Sequence, residues 1–163
     1  MQIRPEGPQD VAAIHELTRV AFAPMAFSDG TEPDIIDRLR ADGDLTLSLV
    51  VEEASEIVGH AAFSRVGLEA PGEWFCLGPA SVAPHRQRCG IGTGTIATGL
   101  AILRDRGAAG CVVEGNPLFY SRFGFRSDFG LSHGDLEPQY VQGLPFGDTL
   151  PTGEIAFARA FGG

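Results

Sequence analysis

The sequence Gln87-Arg88-Cys89-Gly90-Ile91-Gly92-Thr93-Gly94 joins a predicted strand to a predicted amphipathic helix. Glycines let a backbone approach a ligand closely, and the start of a helix presents N–H groups that carry partial positive charge. Such a turn suits a pyrophosphate, to which Arg88 and Arg86 could donate charge-assisted hydrogen bonds. We therefore expect a phosphate cradle at residues 87 to 94, called the cradle below.

The glycine pattern separates the cradle from two other phosphate-binding motifs. A Walker A loop requires a lysine after its glycines, and none is present. A dinucleotide fingerprint requires a hydrophobic strand directly before its glycines and an acidic residue about 20 positions later. Glu114 is suitably distant, but the third glycine comes one position early and residues 83–88 form a polar loop. A tight helix entry that binds no ligand remains the local alternative.

The chain before the cradle predicts two helices followed by three strands. Asp10 is expected to be the N-cap of the first helix, and a second helix is expected over residues 31–43. Alternating apolar residues within 45–63 predict an antiparallel hairpin. A third strand over 74–82 contains Gly78-Pro79, and a proline there removes a ladder donor and implies a bulge or an edge.

The chain after the cradle predicts a helix, a short buried strand at 111–113 and a second short helix. Asn116-Pro117 has the form of an N-cap followed by a proline in the first helical position. Ile155, Phe157 and Phe161 predict a terminal strand by their alternation, whereas residues 127–152 are not assigned. The order of elements predicts an α+β fold with a mixed sheet, in one domain spanning residues 1–163.

Several of these segments together resemble the GNAT family of N-acetyltransferases. Gln87-x-x-Gly90-x-Gly92 matches the family signature [RQ]xxGx[GA], and Ser81-Val82-Ala83-Pro84 stands where the family has a strand ending in Val-x-Pro. Residues 116–125 resemble the closing motif of the family, and the stretch 77–125 resembles its YhbS-like branch. The resemblance implies about six or seven strands flanked by about four helices, with central parallel strands 73–82 and 110–114 that splay apart.

The resemblance also implies acetyl-CoA as the acyl donor and assigns residues to it. Pyrophosphate contacts are implied at Arg88, Cys89, Gly90, Ile91, Gly92 and Thr93, and Gln87 is also assigned to cofactor binding. The pantetheine arm would pair with the backbone of Ser81, Val82 and Ala83 as an added strand. Asn116 would orient the pantetheine or cap its helix, and Tyr120 would be the general acid, with packing beside Phe119 and Phe123 as the alternative role. An unperturbed tyrosine keeps its proton at neutral pH because its pKa is about 10.

The general base is less clearly marked than the acid. Glu73 and Glu114 are expected to flank the splay and could act through a water molecule, although each could equally be a solvated charge at a strand end. His60 is interpreted as a core histidine with satisfied hydrogen bonds, and His85 as a surface residue. Cys89 has no identifiable histidine partner, so a covalent enzyme intermediate is not expected.

Composition and simple sequence patterns argue against several classes of partner, location and site. A net charge of -9 argues against nucleic acid, because binding to phosphates requires Lys and Arg in excess. No apolar run is long enough for a membrane span and no signal peptide is evident, so a cytoplasmic location is expected. The three cysteines are an odd number without CxxC spacing, which suggests neither a disulfide framework nor a zinc or other metal site.

The resulting functional hypothesis is direct acetyl transfer from acetyl-CoA to a primary amine of a small molecule or a protein. A non-catalytic acyl-CoA-binding regulatory module is the alternative, and a dinucleotide-dependent enzyme is a third reading. Acceptor specificity is expected to reside in the two N-terminal helices and in residues 127–152. A homodimer is possible, since nothing in the sequence decides the oligomeric state.

Overall fold

A computed structural model describes residues 1–162 of the chain. Within them lie four α-helices: α1 (Val11–Phe22), α2 (Glu32–Ala41), α3 (Ile91–Asp105) and α4 (Pro117–Tyr120). The strands are β1 (Gln2–Pro5), β2 (Leu45–Glu53), β3 (Glu56–Val66), β4 (Trp74–Val82), β5 (Gly110–Glu114), β6 (Leu131–Ser132), β7 (Val141–Pro145) and β8 (Gly153–Glu154). The described helices include none that is both long and apolar enough to cross a membrane.

Six of the strands form one mixed sheet, in the order β1-β2-β3-β4-β5-β7. Strands β4 and β5 run parallel, whereas the other neighbouring pairs of this sheet are antiparallel. The short strands β6 and β8 pair separately. The predicted α+β fold with a mixed sheet of about six or seven strands and about four helices is confirmed.

The sheet separates two layers of packing. On one face, called the α3 face, Ile96 and Leu100 of α3 pack against Phe63 and Leu77. The opposite face is covered by α1 and α2 in one half, where Ile14 contacts the core beside Ile36 and Val50. Its other half is covered by the C-terminal segment, which packs Leu131 and Ile155 against Trp74 and Val112.

A bulge interrupts the pairing of β3 with β4. Phe63 lies opposite Leu77, but Ala61 lies opposite Ala80, so two residues of β4 stand against one of β3. These two residues are Gly78 and Pro79, joined by a cis peptide bond. The distortion predicted near Pro79 is confirmed. Because one extra residue is inserted, Leu77 and Ala80 both face α3.

The central parallel strands separate soon after they meet. Three residue pairs join β4 to β5, namely Trp74 with Gly110, Phe75 with Cys111 and Cys76 with Val112. Beyond these pairs the strands diverge, while β5 stays paired with β7 along its length. The expected splay is confirmed, and it leaves a gap between the C-terminal halves of β4 and β5.

Three local expectations were wrong or incomplete. Asp10 occupies the N-cap position of α1 as predicted, but its carboxylate makes no capping hydrogen bond and instead accepts from Arg4 at 2.7 Å and from the Gly7 N–H at 2.7 Å. The predicted terminal strand is reduced to β8, a bridge at Ala156 and a 3-10 turn at Arg159–Phe161. The unassigned segment 127–152 contains β7, whose partner β5 lies about 30 residues earlier in the chain, beyond the reach of local sequence patterns.

Candidate active site

The cradle has an unusual backbone. Arg88 and Gly90 adopt φ values of 64° and 83°, both in the left-handed region, and α3 begins at the next residue, Ile91. A non-glycine residue such as Arg88 is strained in this region by roughly 1–2 kcal/mol. Alternation of left-handed and right-handed residues turns successive N–H groups toward one point, which makes an anion-binding concavity.

A cavity of about 380 Å³ lies over this backbone. Of the cradle residues assigned to the cofactor from the sequence, it is lined by Gln87, Arg88, Gly90, Ile91, Gly92 and Thr93. Cys89 is exposed and is not part of the lining. The remaining lining comes from residues distant in sequence or on the flanking loop: Val82, Arg86, Phe119 and Arg122.

Arg122 also lines the cavity over the cradle, and no motif in the sequence indicated it. Its Nη1 donates to Thr93 Oγ1 at 3.2 Å, and its guanidinium lies 4.4 Å from the centre of the Phe119 ring. Arg86 also lines the cavity, anchored to Glu53 at 2.7 Å, and its buried Nε has no hydrogen-bond partner among residues 1–162. The cavity thus gathers Arg86, Arg88 and Arg122 in a chain of net charge -9.

The end of β4 decides which backbone groups face the gap. The Ala83 N–H donates to the Val58 C=O at 2.8 Å, so Ala83 faces β3. Amides alternate in direction along a strand, so Ser81 also faces β3, whereas Val82 and Ala80 face the gap. Of Ser81, Val82 and Ala83, which were expected to pair with a pantetheine arm, only Val82 turns its backbone groups toward the gap. The Val82 C=O already accepts from the Gln87 side chain at 3.2 Å.

A second cavity, of about 120 Å³, connects the cradle with the short helix α4. It shares Val82, Gly92 and Phe119 with the cradle cavity, and Tyr120 lies on its other side. Strands β3 and β4 contribute Ala61 and Ala80, among others, to its floor. The two cavities are therefore adjacent along one path, which leads from the start of α3 to the gap and to Tyr120.

Tyr120 is held firmly at the end of this path. Asn116 begins α4 as predicted, and its Oδ1 accepts from the Leu118 N–H at 2.9 Å. The Tyr120 ring lies edge-on to Phe119 and Phe125, at centroid distances of 4.9 and 6.0 Å. Burial, together with nearby Cys111, raises the pKa of Tyr120, so its hydroxyl is protonated at neutral pH. Packing and proton donation are thus compatible roles for this residue.

The family comparison agrees with this geometry. The model of the Acetyltransferase (GNAT) family matches residues 11–125, which is more than half of the chain. The chain belongs to this family. A curated relative, described as an uncharacterized N-acetyltransferase YhbS of Escherichia coli, is 34% identical over 138 residues, which cover 83% of this chain and 78% of the relative.

Two solved structures of similar proteins contain a coenzyme A species. A GNAT family acetyltransferase from Brucella melitensis, in complex with acetyl-CoA, is 46% identical with a TM-score of 0.87, covering 98% of this chain and 97% of that one. Escherichia coli YhbS, in complex with CoA, is 28% identical with a TM-score of 0.89, covering 98% and 91%. The GNAT family, its YhbS-like branch and the acetyltransferase class expected from the sequence are confirmed.

The two candidate bases of this acetyltransferase occupy different places. Glu73 precedes the paired part of β4, so it lies at the closed end of the gap and does not flank the splay as expected. Its exposed carboxylate lies 3.8 Å from Arg65. Glu114 ends β5 at the open end of the gap, on the face of Val112, and its carboxylate lies 2.6 Å from His133 Nδ1. His133 was not found from the sequence, because its segment carries no motif.

His60 of the acetyltransferase is buried, but only one of its two ring nitrogens has a hydrogen-bond partner among residues 1–162, contrary to expectation. Its Nε2 lies 2.8 Å from Ser48 Oγ, whereas its buried Nδ1 has no hydrogen-bond partner among residues 1–162. Ser81 Oγ, on the neighbouring strand, is buried and unpartnered in the same part of the chain. Burial lowers the pKa of His60 to about 4. His85 is exposed, as expected.

Proposed function

We propose that this acetyltransferase uses acetyl-CoA to acetylate a primary amine of a small molecule or a protein. The observation that carries the proposal is the path from the cradle to Tyr120, whose two cavities share Val82, Gly92 and Phe119. A ligand with phosphates at one end and a thioester at the other suits such a path. The acetyl-CoA and CoA complexes of the two similar proteins support the same donor.

The donor would be bound mainly by backbone groups. Its pyrophosphate would accept hydrogen bonds from the N–H groups of the cradle and from the arginines around it. Its pantetheine arm would enter the gap as a surrogate strand and pair with the free amides of Ala80 and Val82. The thioester oxygen would then lie near the Val82 N–H, which could stabilise the oxyanion of a tetrahedral intermediate.

The chemistry requires an uncharged amine and a proton for the leaving thiolate. The amine nitrogen attacks the thioester carbon, the new C–N bond forms, and collapse of the intermediate breaks the C–S bond. Tyr120, which keeps its proton at neutral pH, would protonate the departing thiolate and then regain a proton from the acylated nitrogen. Transfer is direct, so no side chain of the protein is acylated.

The acceptor would approach from the face opposite α3, because the donor occupies the α3 face. A groove of about 660 Å³ lies between α1 and the loop after β4, and His85 is part of its wall. Carboxylates outnumber guanidinium groups along it, with Asp10, Glu16, Glu52 and Glu56 against Arg4. Such a surface attracts a cationic acceptor such as an alkylammonium.

The proposal is tested by measuring thiol release from acetyl-CoA with a panel of primary amines. Tyr120→Phe keeps the aromatic packing but removes the hydroxyl, so turnover should fall by about 10²- to 10⁴-fold while CoA affinity is retained. Tyr140→Phe is the matched control, since Tyr140 lies outside both cavities of the path. Undiminished turnover of Tyr120→Phe would exclude Tyr120 as the acid.

Binding measurements distinguish acetyl transfer from the two alternative functions, a non-catalytic acyl-CoA-binding module and a dinucleotide-dependent enzyme. Tight binding of CoA in calorimetry without turnover of any amine would favour the non-catalytic module. Binding of NAD in place of CoA would instead favour the dinucleotide enzyme.

A further inference from the structure

Gly115 directly follows β5, and the Tyr120 ring packs against its backbone. A Cβ built at Gly115 would lie 2.7 Å from Tyr120 Cε2 and 3.7 Å from Cζ, the carbon that carries the hydroxyl. Carbon atoms in favourable contact are about 3.5–4.0 Å apart, so a side chain at position 115 would displace the ring by roughly 1 Å. The φ of 155° at Gly115 disfavours any other residue as well. Glycine at this position therefore decides how close the ring comes to the end of β5.

The polar backbone groups of Gly115 are both tied to the segment that contains β7. Its N–H donates to the Tyr140 C=O at 3.1 Å, and its C=O accepts from Gln142 Nε2 at 3.1 Å. The Cα of Gly115 lies between these two hydrogen bonds. The backbone surface against which Tyr120 packs is thus fixed relative to the sheet.

Gln142 is a polar residue at a core position. It is 1% exposed, it is paired with Val113 across β5 and β7, and both Val113 and Leu144 pack in the core on the α3 face. Burial of an amide is costly unless the amide forms hydrogen bonds. An apolar side chain of similar size would fill this space without that cost. The contact that an apolar residue could not make is the hydrogen bond to the Gly115 C=O.

The Tyr120 ring is otherwise held by aromatic edges. Phe119 and Phe125 contact it edge-on, and burial together with nearby Cys111, rather than any hydrogen bond, raises the pKa of its hydroxyl. Apolar contacts of this kind are not directional, so they leave a ring some freedom to slide. The backbone of Gly115 adds a rigid surface that limits this freedom.

The position of the ring matters because Tyr120 would have to reach the sulfur of the donor. Tyr120 lines the cavity of about 120 Å³ together with Ala80 and Val82, whose amides face the gap. A proton donor must come within about 2.6–3.2 Å of the atom that it protonates. A misplacement of about 1 Å can lower a rate about 10²-fold. A shift of the size that a side chain at Gly115 would impose is therefore large enough to separate the hydroxyl from the thiolate.

We propose that Gly115 and Gln142 are positioning residues for the proton transfer by Tyr120. Gln142 fixes the Gly115 peptide, and Gly115 sets the place of the phenol ring at the gap. This inference rests on the proposed acetyl transfer with Tyr120 as the acid. In that step the C–S electron pair moves to sulfur, the Tyr120 O–H bond breaks and the S–H bond of CoA forms, and the proton lost from nitrogen restores the phenol.

The structural part is tested without any substrate. The chain has two tyrosines, so labelling with 3-fluorotyrosine gives a fluorine NMR signal for each, and the one missing from Tyr120→Phe belongs to Tyr120. Gln142→Met keeps the length of the side chain and loses the amide, so it should shift the Tyr120 signal. An unshifted Tyr120 signal in this variant would overturn the proposal.

Gly107→Ala is the matched control for a strained backbone. Gly107 follows α3 with a left-handed φ of 88°, but a Cβ there would have no neighbour within 4 Å. This variant should leave the Tyr120 signal and kcat unchanged. A shift of the Tyr120 signal as large as that in Gln142→Met would overturn the proposal, because it would show a response to strain anywhere in the chain.

The catalytic part is tested on an amine that the wild-type protein acetylates. Gly115→Ala should lower kcat by about 10²-fold and Gln142→Met by about tenfold. The KM for the amine and the affinity for CoA should both stay within about twofold, because a contact that acts only on the transition state changes kcat alone. Losses that appear in KM or in CoA affinity instead of kcat would overturn the proposal.

Combination with Tyr120→Phe distinguishes positioning from a general loss of structure. Residues that act through one group are not additive, so Gln142→Met should lower kcat about tenfold in the wild-type background and not at all in the Tyr120→Phe background. Equal losses in both backgrounds would overturn the proposal while leaving Tyr120 as the acid. This comparison does not depend on Gly115→Ala, which could fail to fold. Undiminished turnover of Tyr120→Phe would instead refute the proposed function of Tyr120 itself, and the fluorine signals would still decide whether Gln142 sets the ring.

Discussion

Arg122 and Arg126 are close in the chain and both stack on a phenylalanine ring, but only Arg122 lines the cavity over the cradle. Each lays its guanidinium over a phenylalanine ring, at 4.4 Å for Arg122 and 4.7 Å for Arg126. Arg122 also contacts Thr93 and lines the cradle cavity, whereas Arg126 pairs with Asp128 outside it. The pair therefore allows phosphate binding to be separated from stacking.

We predict that Arg122→Met weakens CoA binding about tenfold, because a charge-assisted hydrogen bond to phosphate is worth about 1.5–3 kcal/mol and exposure reduces it. Arg126→Met should leave the affinity unchanged. Calorimetric titration of CoA at two salt concentrations measures both, and the salt dependence should decrease for the Arg122 variant alone. Equal losses in both variants would contradict a phosphate role for Arg122.

At the residue scale, the sequence predicted which residues lie together only where those residues are continuous in the chain. Six of the seven cradle residues assigned to the cofactor, from Gln87 to Thr93, line one cavity, because a strand–turn–helix fixes their positions locally. Arg122 lies 29 residues from its partner Thr93, and His133 lies 19 residues from Glu114. Contacts of that kind depend on packing, and no local pattern indicates them.

At the element scale, helix α3 links the cradle to the core through its glycines. Gly99 packs against Phe63, and a Cβ added there would lie 2.4 Å from Phe63 Cε2. Gly94 is on the same helix, but a Cβ there would have Ile3 Cδ1 as its nearest neighbour, at 3.9 Å. The close approach of α3 to β3 therefore requires glycine at position 99 and not at position 94.

We predict opposite effects on the free energy of unfolding for alanine at these two positions. Gly99→Ala should destabilise the fold by roughly 1–3 kcal/mol, because the methyl group overpacks the core against a ring. Gly94→Ala should stabilise it by roughly 0.5–1 kcal/mol, because alanine loses less backbone entropy in a helix. Urea unfolding of the two variants tests this, and equal changes would show that Phe63 gives way.

The bulge in β4 determines which side chains and amides at the end of this strand face the gap. The sequence indicated it through Gly78-Pro79, but could not say which amides it would turn toward the gap. The added residue places Ala80 and Val82 on the gap side and aligns Ser81 with His60. A shift of one residue reverses every side chain and amide that follows, so this outcome depends on the observed register.

At the scale of the whole molecule, buried ionisable groups make stability depend on pH. Burial lowers the pKa of His60 from 6.5 to about 4, so the unfolded chain takes up a proton before the native protein does. The contribution of neutral His60 to the free energy of unfolding is therefore fully present above about pH 6.5 and is lost as the pH falls toward 4. The lowered pKa of Asp10, held by Arg4, acts in the same direction at lower pH.

We predict that the free energy of unfolding decreases by up to about 3 kcal/mol through His60 between pH 7 and 4, in addition to the loss from carboxylates. His60→Gln should show a shallower decrease, whereas the exposed control His85→Gln should follow the wild-type curve. Urea unfolding across this range measures all three. Parallel curves for the wild type and His60→Gln would contradict a buried neutral histidine.

By itself, the sequence determined the family, the order of the elements from β1 to α4, and the turn at residues 87–94. These features depend on periodicity and on turns a few residues long, and local propensities specify them. Only the tertiary structure decided that the strand at 141–145 completes the sheet, that Glu73 lies at the closed end of the gap, and that His60 keeps a free Nδ1 beside Ser81. The reason is that strand order, register and burial arise from contacts between distant segments, whose energies no short stretch of sequence contains.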